Sequence, residues 1–407
     1  MSDGKVVEIK KGPINKPMLC VLLMIAGIGL LMVFSAGSYA AQNEGGSALD
    51  PFIKQGGLMV GGLVILAIGA NIPYRFWRNP FIVFSILLFS IFMLIIVLIP
   101  SIGKLINGSR RWIEIFGISV QPGEIAKFAL VIFIAQRLSL KYNQKSYLGF
   151  IAMPVLMVAG AMFLLIMEQP NLSTAGSIII IAVIMLFIGG MDLKHVAILV
   201  VLGLIVGVAY ALSAEYRRER LLLFLDPWEQ AGDETYQLVQ SLYAIASGGL
   251  FGRGIGQSMQ KLLFLPYCDS DFIFAVVAEE LGFFGTTLVV GLFAAFIVMG
   301  CNVARRCKDR HGSMLAMGLT VFFAVQIMLN IAVVTGCFPT TGLPMPFFSA
   351  GGTSLWVFMG AAGILLNVSR YAQPEEKKAA VKDKNSGAKS DNVRSFPDGK
   401  RLEYRSK

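Results

Sequence analysis

The sequence predicts an all-α polytopic membrane protein of about ten transmembrane helices, with one long extracytoplasmic loop between spans seven and eight. Three observations lead there. The 407 residues are 56% hydrophobic and only 15% charged, with a mean hydropathy of +0.69, too apolar for the surface of a soluble protein. Apolar runs of about 20 residues recur along the chain, the length a helix needs to cross a bilayer. Lys and Arg collect in alternate connections, as they do on the cytoplasmic side of membrane proteins.

The elements follow in order. Residues 1–16 are a polar tail with Lys5, Lys10, Lys11 and Lys16. Charges ahead of an apolar run suggest a signal peptide, but the run from Pro17 to about Ala40 is too long for one and reads as an uncleaved first span. Further spans are expected near 55–73, 79–100, 122–139, 147–167, 172–190, 195–213, 275–303, 313–336 and 351–370, the one near 122–139 being the least hydrophobic. With the N-terminus inside, the cytoplasmic connections are Tyr74–Arg78, Gln136–Ser146, Met191–His195, Val303–Gly312 and the C-terminal tail. Each carries Lys or Arg, whereas the outer loop at 337–350 carries none. The expected organisation is therefore a tail at 1–16, a membrane domain at 17–370 with its large outer loop at 214–270, and a basic tail at 371–407. That last tail lacks periodic apolar residues, which predicts disorder and contact with anionic lipid.

Composition also excludes some chemistry. The net charge of +10 reflects these cytoplasmic flanks rather than nucleic-acid binding. Five cysteines form no CxxC pair, and the two histidines, His195 and His311, both fall in cytoplasmic loops. Zinc sites and histidine-based triads have almost nothing to work with, and no metal site is expected.

The polar stretch from Glu215 to Gly285 is too long for a tight connection and marks the centre of function. Two outer segments defy the charge bias. Residues 101–121 carry Lys104, Arg110 and Arg111; the long loop carries Arg217, Arg218, Arg220, Arg253 and Lys261. Either they pair with Glu114, Glu215, Glu219 and Asp226, or they meet an anionic ligand such as a lipid pyrophosphate at the outer leaflet. Asp271 stands at the entry of the eighth span, where partial desolvation raises a carboxyl pKa and suits it to base work. Helix capping is the competing explanation. Glu124 and Lys127, spaced i, i+3 inside a span, share a helix face and form either a structural ion pair or part of a charged cavity. The Pro- and Gly-rich segment 336–355 predicts a packed re-entrant loop, because irregular backbone at membrane depth survives only where protein or a cavity satisfies it. Ser349, Gly351 and Gly352 within it could offer hydrogen bonds to an anion.

PTTGLPMPFFSAGGTSL, at 339–355, resembles the signature of the SEDS family (shape, elongation, division and sporulation), which includes FtsW, RodA and SpoVE. The likeness spans all ten expected helices. It continues in Arg111-Trp112, in Gln121-Pro122-Gly123-Glu124-Ile125-Ala126-Lys127, and in Glu168-Gln169-Pro170-Asn171-Leu172. It extends through Asp226-Pro227-Trp228, Tyr236-Gln237, Gln240 to Ile245, Ser247 to Gly252, and Asp271-Phe272-Ile273-Phe274. The wording SLYAI, GGLFG, GQS and QK is similar to the FtsW/SpoVE branch rather than the RodA branch. The resemblance implies a peptidoglycan glycosyltransferase that polymerises lipid II at the outer face of a bacterial cytoplasmic membrane, with both termini inside. It implies a class B penicillin-binding protein as partner, beside other division or sporulation membrane proteins. The family's essential aspartate falls on Asp271, and its cavity charges fall on Arg111, Glu124 and Lys127. The chain departs from the family pattern at Asp269-Ser270, where His-Thr is usual, at Tyr267, where Glu is usual, at Gly123, and at 230–237.

The implied chemistry inverts an α-linked sugar to a β-1,4 glycan, so one base suffices to take the acceptor proton. The pyrophosphate leaving group needs positive charge nearby. Arg110, Arg111, Arg217, Arg218, Arg220 and Lys261 are the candidates; no cofactor is required, although a divalent cation could share the work. The rival classes are a lipid II flippase and a non-catalytic activator of a partner synthase. Against the flippase stands the absence of a recognisable pair of interrupted helices from inverted repeats.

Overall fold

The computed structural model describes residues 12–106, 108–115, 118–140, 147–212, 228, 235–340 and 342–372. The helices in chain order are α1 (Lys16–Asn43), α2 (Asp50–Asn71), α3 (Pro80–Ile96), α4 (Pro122–Ser139), α5 (Met153–Met167) and α6 (Leu172–Ile188). They continue with α7 (Leu193–Leu212), α8 (Tyr236–Gly248), α9 (Ile273–Arg306), α10 (Arg310–Val334) and α11 (Gly352–Ser369). Each segment expected to span is helical. Among the described residues, six helices are long and apolar enough to cross a membrane: α1, α2, α5 with its leading turn from Leu148, α9, α10 and α11. Helices α3, α6 and most of α7 are apolar but shorter. Local chemistry sets several starts. Pro17, Pro51, Pro80 and Pro122 occupy the first turns of α1 to α4, where their missing N–H costs no helical bond. Asn15, Asn79, Asn171 and Asp309 cap α1, α3, α6 and α10 through their side-chain oxygens.

The least hydrophobic helix is among the most enclosed. Most residues of α4 are buried, and it packs against α3, α6 and α10. Side chains that never meet lipid need not be uniformly apolar, so α4 can carry Glu124 and Lys127. Helix α11 lies along α2, closely enough that a side chain at Gly363 would run into the backbone of Leu66. The outward faces are lipid-compatible, with Phe81, Leu88, Leu164 and Leu193 all largely exposed.

The mostly helical membrane fold carries one small sheet. Residues 103–120 form a three-stranded antiparallel sheet, β1 (Gly103–Ile106), β2 (Ser109–Ile115) and β3 (Ile118–Val120), in the order β1-β2-β3. Lys104 pairs with Trp112 and Ile113 with Val120, and a register shift follows Lys104. The ion pair between Lys104 and Glu114 bridges β1 and β2, so pairing accounts for that outer-side cation. The long loop also contains an unexpected helix. In α8, Leu238, Val239, Ser241 and Ala244 are buried while Tyr243 faces out.

Helix α9 is broken at Gly282, whose φ of 66° and ψ of −169° suit glycine. The break lets the loop after α8 knit to it. The N–H groups of Arg253 and Gly254 donate to the carbonyls of Glu279 and Glu280, and those of Phe283 and Phe284 donate to Gly249 and Leu250. Backbone groups freed by the kink are thereby satisfied away from water.

Candidate functional site

The segment from Cys337 to Gly351 contains no regular secondary structure among its described residues, yet Leu343, Met345, Phe347 and Phe348 are buried. Aromatic packing anchors it: Phe347 stacks on Phe323 at 5.7 Å, and Phe322 stacks on Phe358 at 4.8 Å in the same cluster. Side-chain amides supply the donors that a helix would otherwise supply. Gln326 donates to the carbonyl of Pro344 at 2.8 Å, and Gln55 donates to that of Ser349 at 3.1 Å. Asn330 donates to two carbonyls, those of Leu343 and Asp271, each at 2.8 Å. This is the packed re-entrant loop the sequence predicts, with its polar backbone accounted for by three buried amides.

Asn330 therefore fixes the backbone of Asp271 against the loop. The carbonyl of Asp269 accepts from Ala350 N–H at 3.0 Å, which ties the two strands of chain a second time. Capping does not explain Asp271. Helix α9 begins at Ile273, its N-cap position is Phe272, and no side chain caps it. The Asp271 carboxyl instead lines a cavity. Burial pushes its pKa up to about 7; the charges of Asp269 and Glu124 add to the rise and Arg111 opposes it. Burial likewise raises Asp269, against which its own backbone N–H and Lys54 work.

The cavity has a volume of about 2050 Å³. That exceeds the ~300–1,000 Å³ typical of small-molecule sites. One end is polar, lined by Arg111, Gln121, Gln237, Ser270, Asp271 and Lys54. Ser349, Gly351 and Gly352 line it as well. The other end is an apolar arm between α5, α6 and α7, with Phe163, Leu164, Ile180, Val183, Leu199 and Val206 on its walls. Arg111 is held by the turn between α5 and α6, donating from Nε to the carbonyl of Gln169 at 3.4 Å and from Nη2 to that of Pro170. A Cβ built on Gly342 would lie 3.1 Å from Asp271 Oδ2 and 3.6 Å from Arg111 Nη1, so carboxylate and guanidinium converge on one glycine.

The other sequence candidates separate. Glu124 and Lys127 are fully buried and paired at 2.7 Å, with Lys127 Nζ also donating to Gln326 Oε1 at 2.7 Å. They do not line the cavity. They sit behind it, linked through Gln326 to the Pro344 carbonyl of the loop. Lys261 departs from the expectation of a pyrophosphate ligand. It is buried, bonded to Glu280 at 3.2 Å and to Ser35 at 3.2 Å, and absent from the cavity wall. A buried carboxylate needs a cation, and Glu280 claims this one. Its neighbour Glu279 accepts from Ser258 Oγ and Met259 N–H and pairs with Arg253 at 3.7 Å. Arg110 is half-buried and also off the cavity wall. Arg217, Arg218 and Arg220 lie outside the described residues.

Sequence reasoning missed Lys54 and Asn330, and it named Gln121 and Gln237 only within motifs, without a role at the site. Gln121 is buried, and its Oε1 has no hydrogen-bond partner among the described residues, which leaves an acceptor beside the cavity. Polar residues inside or at the ends of otherwise apolar helices were the available signal for all four. Among the described residues, no three His, Cys, Asp or Glu side chains cluster to hold a metal ion, and all five cysteines are free thiols.

Comparison with known proteins gives a consistent picture. Residues 16–374 match the family model FTSW_RODA_SPOVE, described as "Cell cycle protein". The chain is 40% identical over 359 residues to stage V sporulation protein E of Bacillus subtilis (strain 168), covering 88% of this chain and 97% of that protein. It is 35% identical over 354 residues to the probable peptidoglycan glycosyltransferase FtsW of Geobacter sulfurreducens, covering 86% of this chain and 94% of that one. Among solved structures, it resembles a chain described under "Structural coordination of polymerization and crosslinking by a peptidoglycan synthase complex". That match has a TM-score of 0.72 at 24% identity, covering 89% of this chain and 99% of the other. The crystal structure of the rod shape determining protein RodA of Thermus thermophilus matches with a TM-score of 0.63 at 23% identity, over 89% and 98% of the two chains. These two likenesses concern the fold.

Proposed function

The chain belongs to the FtsW, RodA and SpoVE family, and on that premise we propose that it is a peptidoglycan glycosyltransferase that polymerises lipid II. The observation that carries the reading is Asp271: a carboxyl with a pKa near neutrality, on the wall of a large cavity that is polar at one end and apolar at the other. A lipid-linked sugar has the same division. The apolar arm between α5, α6 and α7 suits the polyprenyl chain, and the polar end suits the diphosphate and sugars.

The chemistry follows from the groups present. Asp271, as carboxylate, takes the proton of the acceptor 4-hydroxyl. The acceptor oxygen bonds to the anomeric carbon from the face opposite the diphosphate. The bond from that carbon to the phosphate oxygen breaks, and its electron pair leaves on the diphosphate. One displacement inverts the α-linked sugar to a β-1,4 linkage. A base with a pKa near 7 balances availability against strength at physiological pH. The guanidinium of Arg111 near Asp271 suits it to meet charge developing on the leaving group. Ser349, Gly351 and Gly352 add hydrogen-bonding capacity on the same wall. Glu124 and Lys127 are assigned a supporting part, holding the loop through Gln326.

The Lys/Arg pattern favours cytoplasmic termini and an active site at the outer face of the bacterial cytoplasmic membrane. A class B penicillin-binding protein is the proposed partner; the matched fold occurs in a peptidoglycan synthase complex. Purified protein, with and without that partner, should convert labelled lipid II into glycan strands. Transport of lipid II without polymerisation would establish the flippase alternative. Polymerisation that persists in the complex with Asp271→Asn would make this chain an activator only.

A further inference from the structure

We propose that Lys54 is a second cation of the diphosphate site, acting from α2 while Arg111 acts from β2; the proposal rests on the glycosyltransferase reading. Four observations support it. Lys54 is exposed and lines the polar end of the cavity. Its charge is felt by Asp269, two residues from the proposed base, yet it forms no ion pair among the described residues. Its neighbour Gln55 is buried and bonded to the Ser349 carbonyl at 3.1 Å, which fixes this part of α2 against the loop that carries Gly351. Three other outer-side cations are committed elsewhere, Lys104 to Glu114, Lys261 to Glu280 and Arg253 to Glu279, and Arg110 lies off the cavity wall.

The charge requirement points the same way. A diphosphate ester carries about two negative charges at neutral pH, and more develops on it as the sugar–phosphate bond breaks. Arg111 alone leaves that anion under-compensated in a partly apolar site. A lysine ammonium offers three donors on a flexible stem, which suits an anion that shifts during the reaction. Lys54 transfers no proton in this scheme. It donates hydrogen bonds to non-bridging phosphate oxygens of bound substrate and of the departing product. With the site empty, its charge bears on Asp269; with the diphosphate bound, the stronger anion takes it.

Binding and turnover test this separately in the full-length protein. In an Asp271→Asn background, which stops turnover, binding of undecaprenyl diphosphate in detergent micelles is measured with Lys54 present, as Lys54→Gln and as Lys54→Arg. Lys54→Gln should bind about tenfold or more weakly, the size of one lost charge-assisted hydrogen bond, and Lys54→Arg should stay close to the parent. Undecaprenol, which lacks the diphosphate, should not distinguish the three. Inorganic diphosphate should compete more weakly than the lipid, as expected for a lipid-headgroup site; equal competition would identify a site for free diphosphate and overturn the lipid assignment. With Asp271 restored and the partner present, Lys54→Gln should raise KM for lipid II. Unchanged diphosphate affinity in folded Lys54→Gln protein, judged by its Tm and gel-filtration profile, would overturn the proposal while polymerisation by the parent leaves the glycosyltransferase reading standing. So would a variant that only moves the pH profile, because Lys54 would then merely neutralise Asp269. If the parent neither binds the diphosphate lipid nor makes glycan, both fall.

Discussion

The carboxylate of Asp271 and the guanidinium of Arg111 converge on Gly342, where a single added carbon would lie 3.1 Å from Oδ2 of one and 3.6 Å from Nη1 of the other. The two residues lie far apart in sequence, on different elements. Arg111 is held in β2 by carbonyls of the turn between α5 and α6, and Asp271 by Asn330 of α10. A carboxylate and a guanidinium are thus brought to one point by four separate parts of the bundle, which is the geometry the proposed group transfer needs.

Asp271→Asn keeps the size of the side chain and removes the proposed base. Glycan formation from labelled lipid II should fall by ~10²–10⁴-fold, the usual contribution of general-base catalysis. Expression and partner binding should hold. Near-normal chain formation would remove Asp271 from the mechanism.

Activity should also depend on pH in a defined direction. In the proposed mechanism Asp271 works as the carboxylate, so kcat/KM should rise through pH 7 as the carboxyl ionises. Asp269→Asn removes a neighbouring negative charge that raises this pKa, so it should move the ascending limb to lower pH. An unmoved or upward-shifted limb would contradict that coupling.

The same shift predicts a stability effect. The folded-state pKa near 7 lies above the ~3.9 of an unfolded aspartate. The fold therefore favours the protonated acid, and stability is lost as pH rises from about 4 toward 7. Asn mimics the protonated acid. Asp271→Asn should raise the Tm in detergent at pH 8 and leave it nearly unchanged at pH 4. A variant that melts lower than the parent at pH 8 would show that the carboxylate is stabilised rather than strained.

Lys127→Ala would leave Glu124 buried without its cation, a change that costs roughly 3–5 kcal/mol. Folded yield and activity should both drop. Glu124→Gln with Lys127→Met removes both charges and should recover yield but not activity, since Gln326 loses its Lys127 donor while still bonded to the Pro344 carbonyl. Normal polymerisation by the double variant would make the pair purely structural.

Asn330→Ala would strip donors from the Asp271 and Leu343 carbonyls together, at about 1–3 kcal/mol for each buried group left unsatisfied. The expected signature is a kcat loss larger than any KM change, because the base is displaced rather than the lipid site removed. Asn330→Asp cannot donate as a carboxylate and should not restore the wild-type rate, whereas Asn330→Gln should restore part of it.

The sequence by itself determined the helical segments and the packed character of 336–355, and it singled out Asp271 as the candidate base. Each of these is written locally: an apolar run as long as a bilayer is thick, a carboxylate next to such a run, and a Pro- and Gly-rich stretch that cannot become a helix. The poor hydropathy of α4 was legible too, although its meaning, a helix enclosed by others, was not. Only the tertiary structure decided which charges serve the cavity. Lys261 and Arg111 look alike in sequence, both being outer-side cations near an acidic residue. Lys261 is buried against Glu280, while Arg111 lines the cavity beside Asp271. The only sign Lys54 gave was a charge near the start of an apolar run; whether it reaches Asp269 is set by how α2 packs on the 345–351 loop. Hydrophobicity is a property of consecutive residues and can be read along the chain. Electrostatic partnership falls off within a few ångströms, and which residues come that close is settled by packing between helices.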